Sequence, residues 1–387
     1  MENLPVELIG IILTHLGTAR DVVVASSTCK QWREAFKKHL HIATIQLEVI
    51  RTRIIFQTEG LQCLSIHVGS AHEFAAASII AWIMHTKETL SSLSYNVRTT
   101  PDVNVLEKCS HQRFTCLKSL SLRHVGISGL DLSLFLAACP RIESLTLDAI
   151  EILTSDPQSL IELTSPTLKC IFVQSVVVDK IILMADNIES LHISDLNLKS
   201  FELIGKSTLK HLKIKDVKVT HLDIGENMDH LMDVDVSNVK IVVPKFYQML
   251  SKASKLRRLR LWGVVFADED QVIDPECITG LFLELKHLAL SYEIVDGRNR
   301  IELQDFLALE NVDVLELGWT VISENFGHWV FRMIERCPKL KKLVIHNALR
   351  NKKIRGEHQM CFIVISIYVA LRRRCKHVID LRFVNDD

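Results

Sequence analysis

The sequence predicts an α/β solenoid: a horseshoe of repeats with parallel strands on its concave face, preceded by a small all-α hairpin. Three observations predict it. The pattern L-x-x-L-x-L, with Ile or Val standing in for Leu, recurs twelve times along the chain. Within each copy apolar and polar residues alternate as a half-buried strand requires. Successive copies lie 20 to 29 residues apart, room for one strand and one return path but not for an independent domain.

The first positions of the pattern are Leu61, Leu90, Leu117, Ile142, Leu168, Ile188, Leu209, Leu231, Leu256, Leu285, Val312 and Leu340. At the fourth and sixth positions all 24 residues are apolar or, at Tyr95, aromatic. The residue between them is polar in nine copies, the exceptions being Phe172, Ala289 and Val344. Two further apolar residues at alternate spacing usually follow. This is leucine-rich-repeat length and pattern, so residues 61–350 read as about twelve repeats.

Intervals of 25 to 29 residues accommodate a strand, two turns and a helix of about ten residues. DLSLFLAACP, KFYQMLSK and HWVFRMIERCP are suitable helices. The last carries Trp329, Met333 and Ile334 on one side. Around Leu168, Ile188 and Leu209 the intervals shrink to 20–22 residues, which leaves little room for a return helix and predicts a flatter middle. Residues 41–60 read as a linker or N-terminal cap and residues 351–387 as a C-terminal cap, with VIDLRFV offering one last strand.

Composition bounds the function. Of 387 residues, 48% are apolar, ample for a large core. Lys plus Arg total 46, as do Asp plus Glu. That balance gives no long-range attraction to nucleic acid or anionic membranes, and neither is expected as a partner. The start of the chain lacks the pattern of a secretory signal. The longest near-apolar run, Cys361 to Leu371, is 11 residues, short of the roughly 20 needed to cross a bilayer. The ten cysteines contain no C-x-x-C pair and read as reduced thiols of a cytoplasmic or nuclear protein without a zinc site. No metalloprotease, P-loop, dinucleotide-binding or nucleophile-elbow motif is present. No catalytic residue, metal or cofactor is therefore expected.

The third, fifth and seventh positions of each repeat face the concave side. Across three neighbouring strands they read His211, Lys213 and Lys215, then Asp233, Asp235 and Ser237, then Arg258, Arg260 and Trp262. This is a plus row, a minus row and a plus row, about 4.8 Å apart. It fits a self-neutralising ladder, and equally a substrate-binding patch with Trp262 as aromatic anchor. Nearer the N-terminus the same face is small and uncharged. ADEDQVIDPE reads as an acidic rim loop. RNKKIRG reads as a basic surface run or an import signal.

The first forty residues carry a different pattern. Leu8, Ile9, Ile12, Leu13 and Leu16 form an apolar stripe at helical spacing, and Val6 and Ile11 add apolar surface outside it. Asn3 with Pro5, Asp21, and Thr28 with Gln31 suit three helix starts, and Gly17 suits a helix stop. The run LPVELIGIILTHL followed by DVVVASSTCKQWREAF resembles an F-box. Joined to the repeats, it makes the chain similar to the plant-type F-box/leucine-rich-repeat proteins. The resemblance implies a substrate receptor of an SCF-type cullin–RING ubiquitin ligase, with residues 1–40 docking on a Skp-type adaptor and the repeats holding a target protein. Leu4, Pro5, Leu8, Ile12, Leu13, Leu16 and Val22 carry over as adaptor-binding residues, and Trp32 is expected inside the hairpin. A non-ligase binding scaffold and a small-ligand sensor share this architecture.

Overall fold

The computed structural model describes residues 4–16, 19–39, 42–46, 55–69, 76–97, 104–153, 159–206, 208–225, 228–241, 252–266, 283–292, 309–319, 324–347 and 380–385, with a few isolated positions between them. KFYQMLSK, the acidic loop, the basic run, Cys361 to Leu371, Asn3 and Gly17 fall wholly or largely outside these residues. The chain divides into two compact units. One holds residues 1–188, 195–206 and 221–223; the other holds 189–194, 207–220 and 224–387.

In the first unit three helices make the N-terminal hairpin: α1 (Val6–Thr14), α2 (Ala19–Ser26) and α3 (Lys30–His39). Its core is Ile9, Leu13, Val22, Ala35 and Phe36, with Leu4, Leu16 and Trp32 packed against it. Gly10 is required where α1 meets α3, because a Cβ there would overlap that of His39. The capping differs from expectation. Pro5 itself occupies the N-cap of α1 with no side-chain hydrogen bond, and Asp21 lies in the first turn of α2. The Thr28 hydroxyl donates back to the Ala25 carbonyl. Gln31 Nε2 donates to the Leu4 carbonyl, tying α3 to the start of α1 instead of closing a capping box. Tertiary partners thus outcompete the local pairing that the sequence offered.

All twelve anchors, and all 24 residues at the fourth and sixth positions, are buried. A strand begins two residues after every anchor. In the first unit Cys63–Val68, Ser92–Val97, Ser119–Arg123, Ser144–Asp148 and Cys170–Gln174 pair in parallel, in that order. A strand that the repeat pattern does not announce, Ile42–Gln46, pairs in parallel with Cys63–Val68. It lies in the stretch read as a linker; Leu40 stands at the anchor position two residues before it, but the fourth position is Ala43 in place of a large aliphatic residue.

A continuous strand would turn positions eight and ten inward after positions four and six. The apolar residues fall instead at nine and eleven, and Val125, Ile127, Ile150, Ile152, Val176 and Val178 are all buried. A left-handed residue at position eight supplies the one-residue shift. His124, Ala149, Ser175, Asp195, Asp216 and Asn238 have φ of 51–53°, and Gly263 has φ 60°. The corner is bonded repeat to repeat: the amides of His124 and Ala149 donate to the carbonyls of Asp148 and Gln174.

The return paths change from helices to strands partway along the first unit. Helices Ala76–Thr86, Val105–Ser110 and Gly129–Ala137 return the chain in the longer repeats. Thereafter strands do so: Leu160–Thr164, Lys180–Met184 and Ser200–Ile204 pair in parallel and bury Ile161, Leu163, Ile181, Leu183, Phe201 and Leu203. A strand advances about 3.3 Å per residue against about 1.5 Å for a helix, so five residues cover what a helix needs about eleven to span. The intervals of 20 and 21 residues dictate an extended return, and the 26-residue interval before Leu168, which holds Leu160–Thr164, takes one although its length leaves room for a helix.

In the second unit the strands of the repeats anchored at Leu209, Leu231, Leu256, Leu285, Val312 and Leu340 pair in parallel and in register. Asp380–Asn385, within VIDLRFV, adds the last strand beside Lys342–Asn347. Helix Glu324–Glu335 returns the chain with Trp329, Met333 and Ile334 buried.

Candidate functional sites: a hairpin face and a charged strand face

The seven hairpin residues do not all point the same way. Pro5, Leu8 and Ile12 are exposed. Leu8 retains 46% of its surface, Ile12 39% and Ile11 54%. Their i, i+3, i+4 spacing puts Leu8, Ile11 and Ile12 on one face of α1. Leu4 and Leu16 are half-buried against the hairpin core. Leu13 and Val22 are buried in it, which corrects their expected role: they hold the hairpin together and offer no surface to a partner. Ile11, and Val24 on α2 at 59% exposure, are apolar surface that the motif residues did not include. The first already stood outside the apolar stripe; the second carried no signal beyond being a valine next to Val23.

On the strand face of the second unit, the plus, minus and plus rows lie in register. His211, Lys213 and Lys215 sit opposite Asp233, Asp235 and Ser237, which sit opposite Arg258, Arg260 and Trp262. Neutralisation is partial. His211 Nδ1 lies 2.7 Å from Asp233 Oδ2, and Lys215 Nζ lies 3.7 Å from Asp216. Arg260 Nη1 is 3.9 Å from Asp235 Oδ2, a loose approach. Lys213 and Arg258 are exposed and have no ion pair among the described residues. Burial, and then Lys213, hold His192 below the usual imidazole range. The patch is therefore cationic around a core of two engaged aspartates.

Trp262 is less free than an anchor would be. It is half-buried, with the Arg260 guanidinium carbon 5.0 Å from its ring centroid. Its other neighbours are Gly318 and His346. A Cβ on Gly318 would overlap the indole, and the His346 ring meets it edge-on at 5.0 Å. Beside this aromatic shelf, Glu316 is bracketed by His287 Nε2 at 2.9 Å and His346 Nε2 at 3.4 Å. These two close imidazoles, His287 first and then His346, hold the Glu316 carboxyl far below the usual carboxylate range. Extending the same third-, fifth- and seventh-position reading over three more strands finds Glu316, Gly318 and His346.

Three of the cysteines are poor nucleophiles. Burial pushes the thiols of Cys109, Cys139 and Cys337 up to about 12. Among the described residues no group of three or more His, Cys, Asp or Glu has the arrangement to hold a metal ion. No described helix is long and apolar enough to cross a membrane.

Comparison with known proteins divides the chain at the same place. Residues 1–42 match the F-box-like family. Residues 55–203 match the family described as FBD-associated F-box protein At5g56370, LRR repeats. F-box/LRR-repeat protein At1g67190 of Arabidopsis thaliana is 50% identical over 412 aligned positions, covering 98% of each chain. With a helical hairpin that keeps apolar surface exposed and a parallel-stranded repeat array behind it, the chain belongs to the F-box/leucine-rich-repeat family.

Proposed function

We propose that this chain is the substrate-recognition subunit of an SCF-type cullin–RING ubiquitin ligase, acting in the cytoplasm, the nucleus or both. The hairpin docks on a Skp-type adaptor through Pro5, Leu8, Ile12 and the neighbouring Ile11, with Leu4 and Leu16 at the margin. The strand face from His211 to Trp262 holds the target protein. One observation carries the reading: α1 fills the hairpin core with Ile9 and Leu13 yet keeps Leu8, Ile11 and Ile12 exposed. Three large aliphatic side chains on one helical face are surface that a partner covers.

Ubiquitin transfer belongs to the partner enzymes in this reading. The chain contributes proximity, holding an acceptor lysine near the charged ubiquitin carrier and so making a bimolecular encounter a tethered one. The experiment is capture of targets by the full-length chain under proteasome inhibition. Arg258→Glu with Arg260→Glu is expected to lose captured targets while retaining the adaptor. Unchanged capture would move the target site off this face.

A further inference from the structure

Just outside the strand face, the second position of each repeat forms a row of its own along the strand starts. In the first unit its charges alternate and pair: Glu143 lies 4.0 Å from Lys118 and 3.1 Å from Lys169. In the second unit Glu189 meets Lys210 at 2.8 Å. The alternation fails farther on. Arg258 pairs with His287 in the ladder, which sets Arg257 beside Lys286. Like charges side by side on neighbouring strands are unfavourable. Among the described residues Arg257 reaches only Glu284, at 4.0 Å, and Asp313 turns to Lys341 at 3.6 Å. Lys286 has no ion-pair partner among the described residues.

This break opens onto a groove of about 730 Å³. Its cations are Arg257, Lys286, Lys339 and Lys341, against the carboxylates of Glu284 and Asp313. Lys339 is held in place by the Asn311 side chain, at 2.6 Å. The cations do not converge on one point. Arg257, Lys286 and Lys341 stand on the first, second and fourth of four adjacent strands, so the row spans about 14 Å. Side chains on one face of an extended chain repeat about every 7 Å, so carboxylates at three alternate residues also span about 14 Å.

We propose that this groove receives an extended acidic segment of the target protein, with Asp or Glu at alternate residues, lying across the strand starts next to Arg258. The inference rests on the substrate-receptor reading and names the class of segment received. Spread, mostly lysine cations suit a line of carboxylates; a single phosphate would call for convergent donors.

The test is fluorescence anisotropy of a labelled peptide with Glu at alternate positions, titrated with the full-length chain. A second peptide carries Gln at the same positions, and a third carries one phosphoserine among Gln. The Glu peptide is expected to bind about tenfold tighter than the Gln peptide, and to weaken as ionic strength rises. Lys286→Glu with Lys341→Glu should weaken it about tenfold, and the milder Lys286→Gln about threefold. Equal binding of the Glu and Gln peptides, or indifference to both variants, overturns the proposal. Tighter binding of the phosphopeptide than of the Glu peptide also overturns it, in favour of a single-phosphate site. Adaptor binding by the same preparations separates the two readings. Its loss through Leu8→Asp speaks to the receptor reading, whereas a silent groove with adaptor binding intact rejects the groove alone.

Discussion

Leu8→Asp is expected to abolish adaptor docking and leave the hairpin folded. Fully burying a leucine side chain is worth about 1.5–3 kcal/mol. Leu8 keeps 46% of its surface for a partner, so covering that remainder is worth about 1 kcal/mol and Leu8→Ala weakens docking about fivefold. The aspartate adds an unpaired carboxylate that must lose water in the interface, at least about 2 kcal/mol more, for a total near 100-fold. Leu13 is the contrasting position. It lies one turn beyond Ile9 in the hairpin core and is wholly buried. Leu13→Ala therefore costs about 2–5 kcal/mol of stability and is read first in the melt. The assay is calorimetric titration of the full-length chain with a Skp-type adaptor, with circular-dichroism melting of each variant alongside. Docking by Leu8→Asp within threefold of the parent, with unchanged melting, would refute the argument. So would equal loss of melting temperature in Leu8→Asp and Leu13→Ala, because the two faces of α1 would then not differ in kind.

Two further outcomes test the energetics of the repeats. Glu316 has its carboxyl depressed by the close imidazoles of His287 and then His346, from an ordinary value of 4.5. A depressed carboxylate contributes stability that is full above its unfolded pKa and fades as pH falls toward its folded one. Glu316→Gln should cost about 2 kcal/mol near neutral pH, with the gap from the parent narrowing below about pH 4.5; a gap independent of pH in denaturant titrations would show that packing, not charge, is what Glu316 supplies. Tyr95 is buried in the sheet core, and its hydroxyl has no hydrogen-bond partner among the described residues. Tyr95→Phe removes an unsatisfied polar group at almost constant volume and should stabilise the chain by about 1 kcal/mol in the same titrations. A loss of stability would mean that the hydroxyl is bonded.

The regular repeats were legible because each states its geometry in residue types. An anchor and two alternating apolar residues specify one strand, and burial of every such residue follows from that pattern alone. The extended returns were only half legible. Interval length excluded helices at KIILM and FELI but not at IELT, which lies in a 26-residue interval, and the alternation in all three gained meaning once the strands stood side by side. Ile42–Gln46 was missed because Ala43 stands at the fourth position of its copy, so that LHIATI departs from L-x-x-L-x-L although Leu40 and Ile45 fit it. In the hairpin, the motif named the right stretch but could not sort Leu8 from Leu13. Both are leucines on one stripe, and only the position of α3 decides which is covered.

The sequence by itself therefore determined the position and direction of the twelve anchored strands, the parity of their faces and the order of the charge rows, because these depend on period and spacing along one chain. Tertiary structure alone decided which hairpin leucine stays exposed, that Trp262 rests over Gly318, and that Lys286 makes no ion pair among the described residues. Those outcomes depend on what a neighbouring element places within a few ångströms, and that distance is set by packing between segments far apart in the chain.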